Sequence, residues 1–373
     1  MIYFDNAATT SVNEEVLKSF NYAVKNYMGN SSSLHKEGLR VLEMEKKAIH
    51  QVASFFHTED NEVYFTSGAT ESNNMAIKGV AFYYQNRGKH LITTKIEHLS
   101  VINTFKQLEE KFGFTVTYLD VDEKGILNLE DLKKAIREDT ILVSIMAVNN
   151  EVGSIQNIEE IGLFLKKYPK VHFHCDATQA IGKIKINYDN VDLITLSGHK
   201  IHSFKASGLL IKRNSTMLEP LITGGGHQNN LRSGTTSMPM EVALAKAIRL
   251  AFEGQEVRYQ KVKKLQEYFF QKASKISGIK FNSDLNGSPF ILSFVVNKKA
   301  SVVSEALSNK EIYVSTKSAC SSKKESSSYV LEAMGKSSYE AANSLRVSFD
   351  EENTMEEIDI FFVELERILN SIK

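Results

Sequence analysis

The sequence predicts an α/β fold with a mainly parallel sheet and a smaller α+β part. Three observations lead to this prediction. Between about residues 60 and 212, short apolar runs alternate with segments of helical period. The last runs of that region follow one another with little helix between them, and beyond residue 235 a long helical pattern precedes mixed strands and helices. Alternating strands and helices are typical of parallel sheets covered by helices on both faces.

Seven apolar runs supply the expected strands of the large sheet. Helical segments follow the first four runs, such as TESNNMAIKGVAFYYQ after the first and LSVINTFKQLEEKF after the second. In chain order the runs are EVYF, HLITT, TVTYL, ILVSIMAV, VHFHCD, VDLITLS and GLLIKR.

The part beyond residue 235 predicts a second, smaller α+β layer. The first segment has the pattern of one long helix, about the right length to connect two domains: MEVALAKAIRLAFEGQEVRYQKVKKLQEYFFQKASKI. After it come strand-like FILSFVV, EIYVS and SLRVSF, helical SVVSEALSN and a closing amphipathic helix, TMEEIDIFFVELERILNSI. We expect a large domain of residues 15–255 and a small domain of residues 1–14 and 256–373.

Composition narrows the class of protein. The chain has 45 basic and 45 acidic residues, so its zero net charge gives no general reason to bind nucleic acid or an anionic membrane. No apolar run reaches the ~18 residues of a membrane helix, and the start lacks the pattern of a signal peptide. Two cysteines cannot form a disulfide framework, which favours a cytoplasmic protein whose cysteine chemistry uses a thiol.

Ligands of open α/β sheets collect at the carboxyl ends of the strands, so chemistry is expected there. The turn TSGATESNN follows the first strand and opens a helix at about Thr70. Small residues and a helix N-terminus suit a phosphate, although Thr70 as a plain N-cap with Asn73 at N3 explains the turn equally well. The spacing fits neither the Walker nor the dinucleotide pattern.

Asp176 ends another strand, in DATQA. Such a carboxylate can hold a proton on a ring nitrogen, and the alternative is an ordinary helix cap. A metal site in the same strand is disfavoured, because His172 and His174 alternate onto one face and Cys175 onto the other. We expect a buried, structural thiol at Cys175.

Lys200 follows the strand DLITLS, in GHKIHSF. A lysine desolvated in a cleft has a lowered pKa and can form an imine, whereas the alternative is a surface lysine. His199 and His202 have H-x-x-H spacing but no third ligand nearby, so we predict no metal site. A glycine-rich loop, TGGGHQNNLRSGT at 223–235, suggests a backbone that passes close to a ligand or partner.

Together and in this order, these segments resemble the cysteine desulfurases, which are pyridoxal-phosphate enzymes of the class V aminotransferase group. The resemblance extends from residue 3 to about 359. The matching segments are YFDNAATT, GNSSSLH, FTSGATESNNMAIKG, IEHLSV, DTILVSIMAVNNEVG, HCDATQAIGK, SGHKI, GGGH with RSGT, SAC with SYVLEAMG, and LRVSF with EEID.

The resemblance implies a fold-type I architecture, a homodimer and a role for each matching residue. Lys200 would bond to pyridoxal phosphate as an imine, and Asp176 would pair with the protonated ring nitrogen so that the ring is an electron sink. His98 would stack on the ring and help move protons, while Gln179 would hydrogen-bond the phenolic oxygen. The other implied cofactor contacts are Ala69, Thr70, Asn150, Ser197, His199 and Thr235.

Among these, Thr70, Ser197 and His199 would hold the phosphate, and Thr235 would reach the phosphate of the neighbouring subunit. Asn150 would contact both ring and substrate. Arg346 would bind the substrate carboxylate with its planar fork. L-cysteine would be the substrate, with no direct contact to nucleic acid or membrane.

Cys320 would be the nucleophile, in the polar stretch STKSACSSKKESSSYV. Its thiolate would take sulfur from L-cysteine as a persulfide and pass it to an iron–sulfur scaffold or a tRNA-thiolation enzyme. The length of the stretch favours the long-loop branch of the family. Another reaction of the same cofactor, such as selenocysteine cleavage or transamination, and a weakly active cofactor-binding scaffold are the alternatives.

Two segments depart from the family pattern. GHKIHSFKASG places His202, Ser203 and Phe204 where a tyrosine, a glycine and a proline are usual, and SFDEENT carries Asp350 and Glu351 in place of a glycine and a basic residue. We expect these departures to alter acceptor preference or loop conformation and to leave the chemistry intact.

Overall fold

A computed structural model describes residues 1–316 and 327–371 of the chain. Its strands are β1 (Ile2–Tyr3), β2 (Val63–Thr66), β3 (His90–Thr94), β4 (Thr115–Leu119), β5 (Thr140–Ser144), β6 (His172–Asp176), β7 (Leu193–Ser197), β8 (Gly208–Lys212), β9 (Lys280–Phe281), β10 (Ile291–Val295), β11 (Ile312–Tyr313) and β12 (Ser344–Ser348). Its α-helices are α1 (Glu14–Asn26), α2 (Lys36–Phe55), α3 (Ala69–Tyr84), α4 (Leu99–Phe112), α5 (Leu129–Ala135), α6 (Ile158–Leu165), α7 (Met238–Glu253), α8 (Gln255–Ala273), α9 (Ala300–Ser308), α10 (Tyr329–Ala333), α11 (Ser338–Ala342) and α12 (Met355–Ser371).

The large sheet runs in the order β2-β8-β7-β6-β5-β3-β4. Only β8 is antiparallel to its neighbours among these strands, so the sheet is mainly parallel, as predicted. Every one of the seven apolar runs forms a strand, and most of them are buried along their whole length because helices cover both faces. The predicted α/β fold is therefore confirmed.

The single long helix predicted after residue 235 is wrong. The chain forms α7 and α8, which meet at Gly254. The backbone at Gly254 has φ −92° and ψ 2°, outside helical values, and its N–H donates to the carbonyl of Leu250 to close α7. A side chain at Gly254 would also crowd the guanidinium of Arg258. Apolar residues keep a helical spacing on both sides of Gly254, so the sequence pattern does not show the break.

A second sheet lies in the C-terminal part, in the antiparallel order β12-β10-β9. The N-terminus joins this region, because β1 pairs in parallel with β11 and Asp5 bridges to Ser348. Phe269 on α8 packs against a group of aromatic rings at centroid distances of 4.7–6.4 Å, namely Phe281, Phe294, Phe349, Phe361 and Phe362. The division at residues 14/15 and 255/256 stays a prediction.

Within the described ranges, no helix combines the length and the apolar content needed to cross a membrane.

Candidate active site

A cavity of about 380 Å³ opens at the carboxyl ends of the central strands. The site was predicted at this edge of the sheet, because the carboxyl ends of parallel strands lie on the same edge. Ten of the predicted site residues line this one cavity: Ala69, Thr70, His98, Asn150, Asp176, Gln179, Ser197, His199, Lys200 and Arg346.

One end of the cavity is formed by the first turn of α3. The helix begins at Ala69 with Gly68 as its N-cap, so the alternative that Thr70 is the N-cap is wrong. Gly68 has φ +148°, which favours glycine, and a Cβ on Gly208 would lie 2.4 Å from the Gly68 Cα. The backbone thus lies close to the cavity, with first-turn N–H groups and the Ser197 hydroxyl available to an anion.

His199 adjoins this end and is neutral at pH 7. Burial, and then Lys200, Lys205 and Lys183 nearby, lower its pKa from 6.5 to about 4. Its Nδ1 lies 3.1 Å from the Thr9 hydroxyl. His199 therefore offers a ring hydrogen bond to a ligand.

Thr235 lies apart from the other predicted residues. It is exposed and lines a neighbouring cavity of about 220 Å³, which shares Ser67 and Ala206 with the first. Within one chain it does not meet the remaining site residues, so its predicted contact with a second subunit stays a prediction.

Asp176 is buried at the end of β6, and its carboxylate is held from two sides. Asn73 Nδ2 donates to Oδ2 at 2.9 Å, and the Thr178 backbone N–H donates to Oδ1 at 3.0 Å. The second bond closes a turn, and no helix begins in the described segment between β6 and β7, so the alternative that Asp176 is a helix cap is wrong. A fixed, buried carboxylate that lines the cavity is suited to hold an N–H of a heterocyclic ligand.

The orientation of Asn73 follows from its partners. Because a carboxylate only accepts, the side facing Asp176 must be the amide nitrogen, which also donates to Ser100 Oγ at 2.9 Å. The amide oxygen accepts from the Thr195 hydroxyl at 2.5 Å. This leaves the Ser100 hydroxyl free to donate its own hydrogen elsewhere.

His98 receives that hydrogen. The side chain caps α4, and its Nδ1 accepts the Ser100 backbone N–H at 3.1 Å and lies 2.8 Å from Ser100 Oγ. A ring nitrogen that accepts from a backbone N–H carries no hydrogen, so neutral His98 has its hydrogen on Nε2. Asn73 and Ser100 thus connect Asp176 to His98 and fix its tautomer.

Ser100→Ala tests this connection. It removes one hydrogen bond to Nδ1 and breaks the contact with Asn73, and a neutral hydrogen bond is worth about 1 kcal/mol. We expect turnover to fall about fivefold with cofactor binding unchanged, because 1.4 kcal/mol corresponds to a factor of ten. Steady-state rates and ¹⁵N spectra of the His98 ring would measure both effects. Ser100→Thr keeps the hydroxyl and should retain the wild-type values; equal losses in both variants would contradict the assignment.

Lys200 lies in the 3₁₀ turn Gly198–Lys200 directly after β7. Its Nζ donates to the backbone carbonyls of Ala7, at 2.6 Å, and Ala8. The lysine is half-buried, which excludes the surface-lysine alternative. The N-terminal segment therefore positions the amine in the cavity.

Gln179 lies beside it and is oriented by Lys183. Lys183 Nζ donates to Gln179 Oε1 at 3.0 Å, and Gln179 Nε2 donates to the Ala7 carbonyl at 3.0 Å. The second N–H of the amide is thereby left to serve the cavity. Burial lowers the pKa of Lys183 to about 8.

Arg346, on β12, is buried against the N-terminal segment. Its Nη2 donates to Asp5 Oδ1 at 2.7 Å and its Nη1 to the Asn150 carbonyl at 2.9 Å. Within the described residues, Arg346 Nε, Asn150 Oδ1 and the cavity-lining Thr178 Oγ1 have no hydrogen-bond partner. These buried polar atoms are typical of a site that binds a polar ligand.

Cys320 lies outside the described residues, so the assignment to the long-loop branch stays a prediction. The residues on either side attach near the cavity. Ser315 pairs with Arg346 through its backbone and donates from Oγ to Asp5 at 2.9 Å. On the other side, Ser328 Oγ donates to Glu151 Oε2 at 2.5 Å and Tyr329 OH to the Glu97 carbonyl at 2.6 Å, one residue from His98.

The other cysteine, Cys175, is fully buried in β6, and burial raises the pKa of its thiol. It is the structural thiol that the sequence predicted. The neighbouring histidines pair with hydroxyls: His172 Nδ1 with Thr216 at 3.0 Å and His174 Nδ1 with Ser144 at 2.8 Å. Residues 1–316 and 327–371 contain no cluster of three potential metal ligands.

Four residues that support the site were missed by the motif reasoning: Asp5, Asn73, Ser100 and Lys183. Each lies inside a segment that was recognised as a whole, for example Asp5 in YFDNAATT and Ser100 in IEHLSV. Their membership of these segments was the only sequence signal, because the contacts that connect them to the site form in the fold.

The donor set fits pyridoxal phosphate. A helix N-terminus with Ser197 and His199 suits the phosphate, Asp176 the ring nitrogen, Gln179 the phenolic oxygen and Lys200 the aldehyde carbon. Together with the mainly parallel sheet, this donor set defines the class of fold-type I pyridoxal-phosphate enzymes.

Known proteins give a consistent result. The family model "Aminotransferase class-V" matches residues 2–361. A NifS/IcsS protein homolog of Lactobacillus delbrueckii subsp. bulgaricus is 42% identical, with 99% of this chain and 97% of the relative covered. A cysteine desulfurase IscS of Dictyoglomus turgidum is 38% identical, with coverage of 100% and 95%. A solved NifS-like protein superposes with a TM-score of 0.93 at 37% identity and full coverage of both chains.

This chain belongs to the class V aminotransferase family, within its group of pyridoxal-phosphate-dependent cysteine desulfurases. The resemblance seen in the sequence is confirmed.

Proposed function

We propose that this protein converts L-cysteine to L-alanine and keeps the sulfur as a persulfide on Cys320. The observation that carries the proposal is the convergence of Lys200, Asp176, His98 and Arg346 on one cavity. A solved structure titled "SspA in complex with cysteine" is 34% identical and superposes with a TM-score of 0.83 over 95% of this chain.

Bound pyridoxal phosphate supplies an electron sink for bonds next to the substrate amino group. Asp176 would maintain that property by accepting a hydrogen bond from the ring nitrogen. The first turn of α3, with Ala69, Thr70, Ser197 and His199, would bind the phosphate. Lys200 would supply the amine that bonds to the aldehyde carbon.

The substrate is held by other side chains. Arg346 keeps N–H groups beyond those given to Asp5 and Asn150, and these bind the substrate carboxylate. His98 presents its Nε2 hydrogen, because Ser100 occupies Nδ1. In this neutral state the ring donates a hydrogen bond from Nε2 to a group in the cavity.

The sulfur step balances without an added oxidant. The Cys320 thiolate attacks the substrate sulfur, so that an S–S bond forms while the substrate C–S bond breaks. The electron pair of that bond stays with carbon, which takes up a proton to complete L-alanine. Cys320 is five residues from Ser315 and eight from Ser328, both of which attach near the cavity.

Burial excludes Cys175 from this role, and the chain has only two cysteines. A thiol on the loop also separates this reaction from transamination, which requires no such group.

We further propose a cytoplasmic homodimer that passes sulfur to an iron–sulfur scaffold or a tRNA-thiolation enzyme. Exposed apolar side chains on α1 and the segment after it support self-association: Tyr22, Val24, Met28 and Leu34. The exposed Thr235 is also available to a second subunit.

The proposal is tested by incubating the purified enzyme with L-cysteine and a thiol reductant. We expect equal amounts of L-alanine and sulfide, measured by amino-acid analysis and a colorimetric sulfide assay. L-Serine, which lacks sulfur, is the control and should give no alanine. Pyruvate and ammonia in place of alanine would indicate a lyase, and a keto acid formed with an amino acceptor would indicate a transaminase.

A further inference from the structure

The two segments that depart from the family pattern meet in the folded chain. His202 follows the Lys200 turn, and Asp350 follows β12, which carries Arg346. His202 Nε2 lies 2.9 Å from Asp350 Oδ2, although 148 residues separate them. Their side chains are 22% and 10% exposed, so the contact is largely shielded from water.

Hydrogen-bond partners determine how many hydrogens the His202 ring carries. Nδ1 lies 3.1 Å from the backbone carbonyl of Ser11, which can only accept, so Nδ1 carries a hydrogen. Nε2 faces a carboxylate whose other oxygen accepts the Glu352 backbone N–H at 3.3 Å. With an ionised Asp350, Nε2 must also donate, and the ring is then an imidazolium.

Several charged residues lie close to this pair. His202 and Asp350 line a small cavity that is also lined by Lys183, Lys200, Arg258 and Glu351. Glu351 is compensated by Arg258 Nε at 3.2 Å. Burial raises the pKa of Asp350, but the His202 hydrogen bond and charge, with Lys183, outweigh it and hold that pKa below its usual value. Apart from His202, the Glu352 backbone N–H and the charge of Lys183 also favour an ionised Asp350 as the partner of His202.

The backbone of His202 is held by hydrogen bonds to the N-terminal segment. His202 has φ +61°, its N–H donates to Thr10 Oγ1 at 2.9 Å, and its carbonyl accepts from Asn13 N–H at 3.0 Å. Elsewhere the Lys200 turn and β12 are connected through the N-terminal segment, which holds Lys200 at Ala7 and Arg346 at Asp5. The His202 to Asp350 bond joins the two segments directly.

We propose that His202 and Asp350 form a charged pair that positions Lys200 relative to Arg346. The inference rests on the proposed function for its consequence, because Lys200 holds the cofactor and Arg346 the substrate carboxylate. Both are positioning residues: a change in either displaces the groups that bind substrate.

The first test concerns the ring alone and uses the cofactor-free protein labelled with ¹⁵N-histidine. At pH 7 we expect both ring nitrogens of His202 to have the shifts of hydrogen-bearing nitrogens, assigned by their loss in His202→Asn. In Asp350→Asn the ¹⁵N chemical shift of one ring nitrogen should move toward the value of a nitrogen that carries no hydrogen. A hydrogen-free nitrogen in the wild type at pH 7 would overturn the charged pair.

The second test is a double-variant cycle with His202→Asn, Asp350→Asn and both together. Asparagine tolerates the left-handed backbone at position 202. We expect each single change to raise KM for L-cysteine about three- to tenfold with kcat changed less than about twofold, within the range of coupling between contacting residues. The double variant should be no worse than the worse single one; multiplied effects, or an unchanged KM, would overturn positioning.

His57 and Asp189 give a matched control. His57 also has a positive φ, +48°, and its Nδ1 lies 3.9 Å from Asp189, but both side chains are exposed and line a different cavity. His57→Asn and Asp189→Asn should leave KM unchanged. If the wild type forms no alanine from cysteine, the proposed function fails, whereas the ¹⁵N spectra and the same cycle measured by unfolding of the cofactor-free protein still decide the pair.

Discussion

Lys200→Ala should lose the visible absorption of bound pyridoxal phosphate and at least about 1,000-fold of the alanine-forming activity. Among the residues that the structure describes, no other amine is held at this position: Lys200 follows β7 at the edge of the sheet, and its Nζ donates to the Ala7 and Ala8 carbonyls. Absorption spectra of the purified variant with added cofactor, and alanine assays, would measure both losses.

Lys200→Arg separates covalent chemistry from charge. Arginine keeps a cation and N–H donors for the two carbonyls but cannot form the imine at neutral pH. We expect it to fold and bind the phosphate weakly while remaining as inactive as Lys200→Ala. Partial recovery of Lys200→Ala by added methylamine is expected as well. Substantial unaided activity in either variant would contradict the role of Lys200.

Cys320→Ser should lose at least about 1,000-fold of persulfide formation and sulfide release and keep the cofactor spectrum. A serine hydroxyl is not ionised at neutral pH and is a poor nucleophile toward sulfur. The groups proposed to bind the cofactor and the carboxylate, including Asp176 and Arg346, are unchanged. Sulfide assays and mass spectrometry of the intact protein after exposure to L-cysteine would show the loss.

Cys175→Ala is the matched control for this substitution. Cys175 is fully buried, and its raised thiol pKa keeps it protonated. The variant should retain sulfide release and the 32-Da mass increase of one bound sulfur atom, with some loss of stability from the small cavity that alanine leaves. Sulfide release that survives in Cys320→Ser and disappears in Cys175→Ala would reverse the assignment.

The central sheet and the main residues of the cavity could be predicted because both depend on local patterns. Buried parallel strands read as apolar runs, and their carboxyl ends share one edge, so Asp176 and Lys200 could be brought together without knowing any distance. The break at Gly254 could not, because apolar periodicity is the same on both sides and one glycine is tolerated in many helices.

The supporting polar residues could not be predicted from the sequence, for a different reason. That Asn73 bonds Asp176 depends on how α3 lies over β6, and that Ser100 sets the tautomer of His98 depends on two hydrogen positions. His202 and Asp350 could be recognised singly as departures. Their contact spans 148 residues and becomes visible only in the fold.

The attachments on either side of residues 317–326 have an evolutionary consequence. Ser315 is bound to β12, the strand of Arg346, and Tyr329 to the backbone next to His98. The proposed nucleophile, Cys320, lies between these two anchors in the sequence. We therefore expect selection on cysteine turnover to act on Cys320 and the cavity residues, while mutation at the other positions of 317–326 can change the recipient of the sulfur.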